Sequence, residues 1–358
     1  MMKGFWERIL PFFGVAAGPR EAPLPGPAPE VDAMLAALPP GGHVPGLAIG
    51  VCRGNRPPVF KGYGLANLEE GLPVDPEHTV FRIASVSKPI TATALARLVG
   101  QGILSLDDPL ARYVPEYPQT GITLRHLAAH TAGLRAYRGK EYALNRPMSI
   151  AQGLEVFRDD PLEFEPGTGF NYNSFDFVLL SLAMERAAGL PFERLVEQEV
   201  LRPLGMEHTT PEDPVYPVAG QAGFYTRSRA GFRRALEVDN RYKLAGGGYL
   251  STVADLCRLG KAYLQGAAIP EDLKADFLQS QEVGGNPTWY GLGWQVSRDA
   301  AGRAYYGHVG NGVGGYSNFY VYPEYQTAIG ILVNCTDPGI QAYLDMVIDR
   351  ILEDPDGA

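Results

Sequence analysis

Three short stretches hold residue types that can do chemistry at a carbonyl. In Phe81 to Gly100, FRIASVSKPITATALARLVG, Ser85 and Lys88 stand three residues apart. On a helix these positions share a face, so hydroxyl and amine can meet at the N-terminal end. There the macrodipole and the unpaired N–H groups favour a neutral amine and a nearby oxyanion. Pro89 lacks an N–H and fits only a first turn, which sets the helix start between Ser85 and Ser87. The second stretch, Phe170-Asn171-Tyr172-Asn173-Ser174, lies between a Pro/Gly turn and a helix, a loop position from which Tyr172 can point its phenol into a cleft. Tyr172 can take the serine proton if neighbouring cations lower its pKa. The third stretch, Tyr306 to Gly315, ends a strand in five glycines. Backbone N–H groups near Asn311 can there face a substrate carbonyl, with His308 adding a polar or cationic group beside them.

Each stretch also has a purely structural reading: a helix cap followed by a surface lysine, a packed aromatic, and a β-turn with an exposed histidine. A fourth pattern, His126-Leu127-Ala128-Ala129-His130, has the i, i+4 histidine spacing of zinc peptidases. Leucine replaces the glutamate base and no third ligand is evident, so neither a metal nor an organic cofactor is expected. Arg135 and Tyr137 nearby read as cleft-lining or structural.

The elements that must position these groups alternate in type along the chain. After a Pro-rich linker at 18–30, a helix is expected at Val31 to Leu38 and strands at Leu47 to Arg53 and Val59 to Leu65. The Ser85 helix then buries a stripe of Ile90, Ala94, Leu95 and Leu98 and stops at Gly100. Short helices follow, starting at Thr123 and at the Ser149/Gln152 capping box, with a longer one over Phe175 to Ala188. Thr252 with Asp255 caps a helix over Val253 to Leu264. Strands return at Tyr290 to Ser297, Arg303 to His308, Tyr316 to Tyr322 and Thr327 to Asn334, and a last helix covers Ile340 to Leu352. The expected fold is therefore α+β: an antiparallel sheet formed from both chain ends and flanked by helices, with an inserted helical lobe. The division is 1–30 as a flexible N-terminal segment and linker, 31–106 with 241–358 as an α/β domain, and 107–240 as a mainly helical lobe.

With 358 residues, 45% of them hydrophobic, the chain can bury one large core or two linked lobes. Its net charge of −9 leaves no basic stripe for nucleic acid, and it contains no 18-residue apolar run to span a membrane. Cys52, Cys257 and Cys335 are scattered and odd in number, and read as buried thiols. The apolar stretch Ile9 to Ala17 after Lys3 and Arg8 reads as a short signal core or a docking helix. A soluble protein is expected, with the cytoplasm favoured and export the alternative.

Taken in order, Ser85-Val86-Ser87-Lys88, Tyr172 and His308-Val309-Gly310 resemble the Ser-x-x-Lys, Tyr-x-Asn and Lys/His-x-Gly motifs of the serine β-lactamase-like hydrolases. This is the peptidase S12 group of class C β-lactamases, penicillin-binding-protein-like D-Ala-D-Ala carboxypeptidases, D-aminopeptidases and esterases. The resemblance covers about residues 44–352, through HLAAHTAGL (126–134), PLGMEHTT (203–210) and AGGGYLSTVADL (245–256). It is closest to the branch of the mitochondrial serine β-lactamase-like protein and its bacterial relatives, through ARYVPEYP (111–118) and VDNRYKLAGGGYLSTVADL (238–256).

The resemblance implies a β-lactamase/transpeptidase-like fold and a serine hydrolase working through an acyl-enzyme on a small-molecule or peptide substrate. Ser85 would be acylated, Lys88 and Tyr172 would share proton transfer, and His308 would stand where many relatives have lysine. The N–H groups of Ser85 and Asn311, beside Gly310, would form the oxyanion hole. Ser174 replaces the motif's asparagine, and a hydroxyl cannot donate twice as an amide does. That change, with His308 mostly neutral at pH 7, favours an esterase or peptidase over a β-lactamase or carboxypeptidase. The branch also implies a homo-oligomer or filament, and a catalytically weak scaffold is the alternative of another class.

Overall fold

The computed structural model describes residues 28–354. The expected signal or docking segment and most of the expected linker lie outside them. The first helix, α1, spans Pro29–Ala36 and so begins two residues before the expected Val31. Pro29 sits in its first turn, where the missing N–H removes no bond and the fixed φ suits a helix.

The sheet is built from β1 (Gly46–Arg53), β2 (Val59–Asn67) and β3 (Leu72–Pro73) of the N-terminal part. To these the C-terminal part adds β4 (Gln295–Arg298), β5 (Ala304–Gly312), β6 (Gly315–Tyr322) and β7 (Thr327–Val333). Their order is β4-β5-β6-β7-β1-β2-β3, antiparallel throughout. The two chain ends meet where β1 pairs β7, from Leu47 opposite Val333 to Arg53 opposite Thr327.

Alternation along the central strands decides which layer covers which face. Leu47, Ile49, Val51, Ile329, Ile331 and Val333 share a cluster with Val31 and Leu35 of α1 and with Leu344, Val347 and Ile351 of the last helix, Gln341–Glu353. The opposite face carries Ala48, Gly50, Cys52, Ala328 and Gly330. Small residues there let the helix Val253–Leu264 lie close: a Cβ on Gly260 would come within 2.4 Å of Ala328 Cβ.

Next to that helix lies α2, Ser87–Gly100. The expected apolar stripe is buried, but so are Thr91 and Thr93, so α2 is enclosed on nearly every side. Its threonines satisfy themselves on carbonyls, Thr91 Oγ1 donating to Ala245 O at 2.8 Å and Thr93 Oγ1 to Pro89 O at 2.7 Å. Gly100 is the last helical residue rather than the stop, since the chain turns at Gln101 and Gly102.

Helices form over Phe175–Ala188 and Val253–Leu264 as the caps and periodicity indicate. Two strand expectations are corrected. The run from Tyr290 enters the sheet only at Gln295, because Trp289 and Gly293 take left-handed conformations and break extension. Conversely, β5 does not end at His308 but continues through the glycines to Gly312, where Val313 and Gly314 turn the chain into β6. Residues 107–240 also contain short strands at Tyr225–Ser228 and Gly231–Arg234. They form a hairpin that Cys335–Thr336 joins in parallel. All three cysteines are free and buried. Among the described residues no helix is long and apolar enough to cross a membrane.

Candidate active site

Ser85 lies in a 3-10 turn, Ala84–Val86, immediately before α2. Ala84 has φ +44°, a left-handed conformation that costs a side-chain-bearing residue about 1 kcal/mol or more and lifts Ser85 out of the helical path. The turn is pinned from two sides. Ser317 Oγ of β6 donates to Ile83 O at 2.6 Å, and Ile83 N donates to Tyr249 O at 3.2 Å. Gly310 of β5 supplies the close approach. A Cβ there would lie 2.3 Å from Ser317 Oγ, 2.4 Å from Ile83 O and 3.0 Å from Ser85 N.

Two donors converge on Ser85 Oγ: Lys88 Nζ at 3.2 Å and Tyr172 OH at 2.8 Å. Lys88 is fully buried, donates a second bond to Gly246 O at 2.8 Å, and stands 4.7 Å from the Tyr172 ring centroid. Burial pulls its pKa down to about 7, with the Asp176 carboxylate opposing the shift and the charge of Lys243 adding to it. At neutral pH a large share of this amine is therefore an unprotonated base. Tyr172 behaves in the opposite sense to the expectation. Although 37% of the residue is exposed, desolvation by the surrounding protein raises its pKa despite the bond to Ser85. It is a phenol that donates to Ser85, not a phenolate that strips it.

The Tyr172 loop is held by its neighbours. Asn171 N donates to His130 O at 2.9 Å, and Asn173 Nδ2 reaches Asp176 Oδ2 at 2.7 Å while Asp176 N returns a bond to Asn173 Oδ1 at 2.8 Å. Asn173 thus points into the protein, and Ser174 lines the cleft beside Tyr137. Behind Tyr172, His130 Nδ1 meets Asp176 Oδ2 at 2.8 Å with both residues fully buried, and the imidazole packs on the Tyr172 ring at 4.6 Å. Burial drives Asp176 well above, and His130 well below, their ordinary ranges. This pair was not anticipated as part of the site. The only signal for it was His130 within HLAAHTAGL, which attracted attention as half of a zinc spacing. That spacing does not survive folding. The helix Leu124–Ala128 ends before His130, whose φ is +59°, and His126 is spent on the Thr123 capping box. Among the described residues no cluster of His, Cys, Asp or Glu is arranged to hold a metal.

His308, expected as a polar or cationic group beside the glycine run or as an exposed turn histidine, is neither charged nor exposed. It is 1% exposed, its Nδ1–H donates to Val309 O at 2.7 Å, and its Nε2 is 3.0 Å from Tyr290 OH. Burial, then the Lys88 charge, pushes its pKa down to about 3. It packs as a neutral ring 5.8 Å from that of Tyr172, beneath the cleft wall rather than on it. Asn311 and Gly312, by contrast, line the cleft with Ser85, Tyr172 and Ser174.

The cleft is about 470 Å³ and is completed by Arg82, Ala136, Tyr137, Tyr142, Asn240 and Lys243. Arg82 is tied down, its Nε 2.9 Å from both oxygens of buried Glu212 and its Nη1 2.6 Å from Val313 O. Arg135, by contrast, is structural, bridging Glu141 and Asp160. The arrangement offers a nucleophile, a buried amine of suitable basicity and a phenol donor at one atom, in a cavity large enough for a small acyl substrate.

The family model described as Beta-lactamase matches residues 31–353. The human mitochondrial serine beta-lactamase-like protein LACTB is 28% identical over 381 aligned positions, covering 78% of this chain and 69% of its own. The D-alanyl-D-alanine-carboxypeptidase/endopeptidase AmpH of Escherichia coli K12 is 32% identical over 289 positions, covering 74% and 72%. Among solved structures, a penicillin-binding protein from Bacillus halodurans superposes with a TM-score of 0.76 at 26% identity, over 88% of this chain and 98% of that one.

Proposed function

From the premise that the chain belongs to the beta-lactamase family, we propose that it is a serine hydrolase that opens ester or amide bonds through an acyl-enzyme on Ser85. The observation that carries this reading is the convergence of Lys88 Nζ and Tyr172 OH on Ser85 Oγ. Neutral Lys88 takes the Ser85 proton as Oγ attacks the carbonyl carbon. The oxyanion is met by the N–H groups of Ser85 and Asn311, on the strand edge that Gly310 brings against the turn. Tyr172 gives its phenolic proton to the leaving oxygen or nitrogen, and the Lys88 ammonium, whose Nζ lies 4.7 Å from the Tyr172 ring centroid, returns a proton to the phenolate. Water then attacks the acyl carbon by the same relay and restores the serine.

Ser174 in the cleft wall and the neutral, buried His308 support an esterase or peptidase over β-lactam turnover. The two-lobe division at 31–106 with 241–358, and 107–240, is part of the same reading, with the cleft between the lobes. Self-association is expected from the branch it resembles and is checked by light scattering. The proposal is tested with a fluorophosphonate, which should add one mass increment at Ser85 in the wild type and none in Ser85→Ala. Labelling elsewhere, or filaments with no labelling, would favour the scaffold alternative.

A further inference from the structure

Lys243 ends the 3-10 turn Arg241–Lys243, which runs directly into the short helix Leu244–Gly247 whose Gly246 carbonyl holds Lys88. The same turn of chain therefore places one lysine against the nucleophile and another on the cleft wall. Lys243 is only 7% exposed, yet among the described residues it has no ion pair. Its Nζ donates to Tyr142 O at 2.5 Å and lies 5.4 Å from the Tyr137 ring and 5.8 Å from that of Tyr242. An ammonium has three donors, so two are left for a ligand.

A buried charge without a counter-ion is costly, and the acids nearby are committed elsewhere. Glu212 is taken by Arg82 and by Asn240 Nδ2 at 2.9 Å, and Asp239 by Arg241. Asp337, at the rim, is exposed to solvent. Lys243 thus brings an uncompensated positive charge to the cleft of a chain whose net charge is −9. A cation kept nearly dry beside a nucleophile, with its compensating charge absent from the protein, is suited to a charge that the substrate brings.

We propose that Lys243 is the anion-binding residue of the cleft and that the substrates are esters or amides carrying a carboxylate near the scissile carbonyl. This rests on Ser85 being the acylated nucleophile. Burial lowers the Lys243 pKa to about 8, so it is mostly protonated at neutral pH. Pairing with a carboxylate would return the shift.

The test compares mono(4-nitrophenyl) glutarate with its methyl ester, in wild type, Lys243→Met and Lys243→Arg. Wild type should prefer the free acid in kcat/KM by about 10- to 100-fold, Lys243→Met should lose that factor, and Lys243→Arg should keep most of it. No preference in the wild type, or an equal slowing of both esters by Lys243→Met, would overturn the assignment. Calorimetry with glutarate alone gives a second readout: binding by wild type that disappears in Lys243→Met supports it, and absence of binding by wild type counts against it. If Lys243→Met does not fold, the wild-type preference, the arginine variant and glutarate binding still decide. Failure of fluorophosphonate labelling at Ser85 would sink the hydrolase reading while leaving the glutarate titration to judge Lys243.

Discussion

Replacing Lys88 by methionine keeps the stem in its slot and removes the amine, so it isolates what burying that amine costs. In the folded chain burial brings the pKa from 10.5 to about 7. Between those values the unfolded chain holds the proton and the folded one does not. The unfolded state binds more protons there, and stability must rise with pH across the window. Integrated from pH 7 to pH 9, this titration gives wild type about 2 kcal/mol relative to Lys88→Met, at 1.36 kcal/mol per pH unit with half the folded amines already neutral at pH 7. Urea unfolding of both proteins at pH 7 and pH 9 measures it, and the stability gap should move in favour of wild type as pH rises. In the proposed mechanism the same proton governs catalysis. An ordinary lysine would be neutral in about one molecule in 3,000 at pH 7, so kcat/KM should climb with pH to a plateau with a midpoint near 7. A gap that stays constant between pH 7 and 9, together with a rate that is flat through pH 7, would refute the placement of this amine.

Three further outcomes are expected. Gly310→Ala should force Ile83 and Ser317 off the Ser85 turn and slow fluorophosphonate labelling by about 100-fold or more, the usual scale for disturbing an oxyanion site, while a thermal melt shows the chain still folded. Tyr172→Phe should lower kcat by about 10²- to 10⁴-fold, the range of a positioned proton donor, whereas a drop confined to KM would argue for simple packing. His308 should keep the ring nitrogen NMR shifts of a neutral imidazole from pH 8 to pH 5, since burial holds its pKa near 3, and conversion to the imidazolium pattern near 6.5 would contradict the buried placement.

What could be read from the sequence was what chain neighbours decide. Ser85 and Lys88 meet because three residues of helical turn bring them together, Pro89 fixes where that turn starts, and Thr252 announces its helix by capping it. The alternating strands of the two ends likewise declared an antiparallel sheet. The fold family came from resemblance, which these local signals alone do not supply. What was hidden depends on residues distant in the chain. His308 looked exposed because nothing beside it reveals that Tyr290 closes over its ring. His130 was noticed only as half of a zinc spacing that lacked its other parts, and its true partner, Asp176, lies 46 residues away. The helix carrying Lys88 looked amphipathic because its threonines are polar by type, and only packing shows their hydroxyls spent on carbonyls.

The pairing of β1 with β7 also constrains how the protein comes into being. Arg53 and Thr327, which face each other across that ladder, are 274 residues apart in the chain. During synthesis the hairpin of β1 and β2 is complete well before the other partner of β1, which is made some 274 residues later. Until then β1 presents a bare apolar edge, Leu47 through Val51, of the kind that templates pairing with other chains. Helices of the 107–240 region can form meanwhile from local contacts, yet the Ser85 turn is clamped by Gly310 and Ser317, which also come late. In the proposed mechanism a nascent chain therefore stays inert until β5 and β6 have been made, and the uncovered edge of β1 is what waits in the meantime.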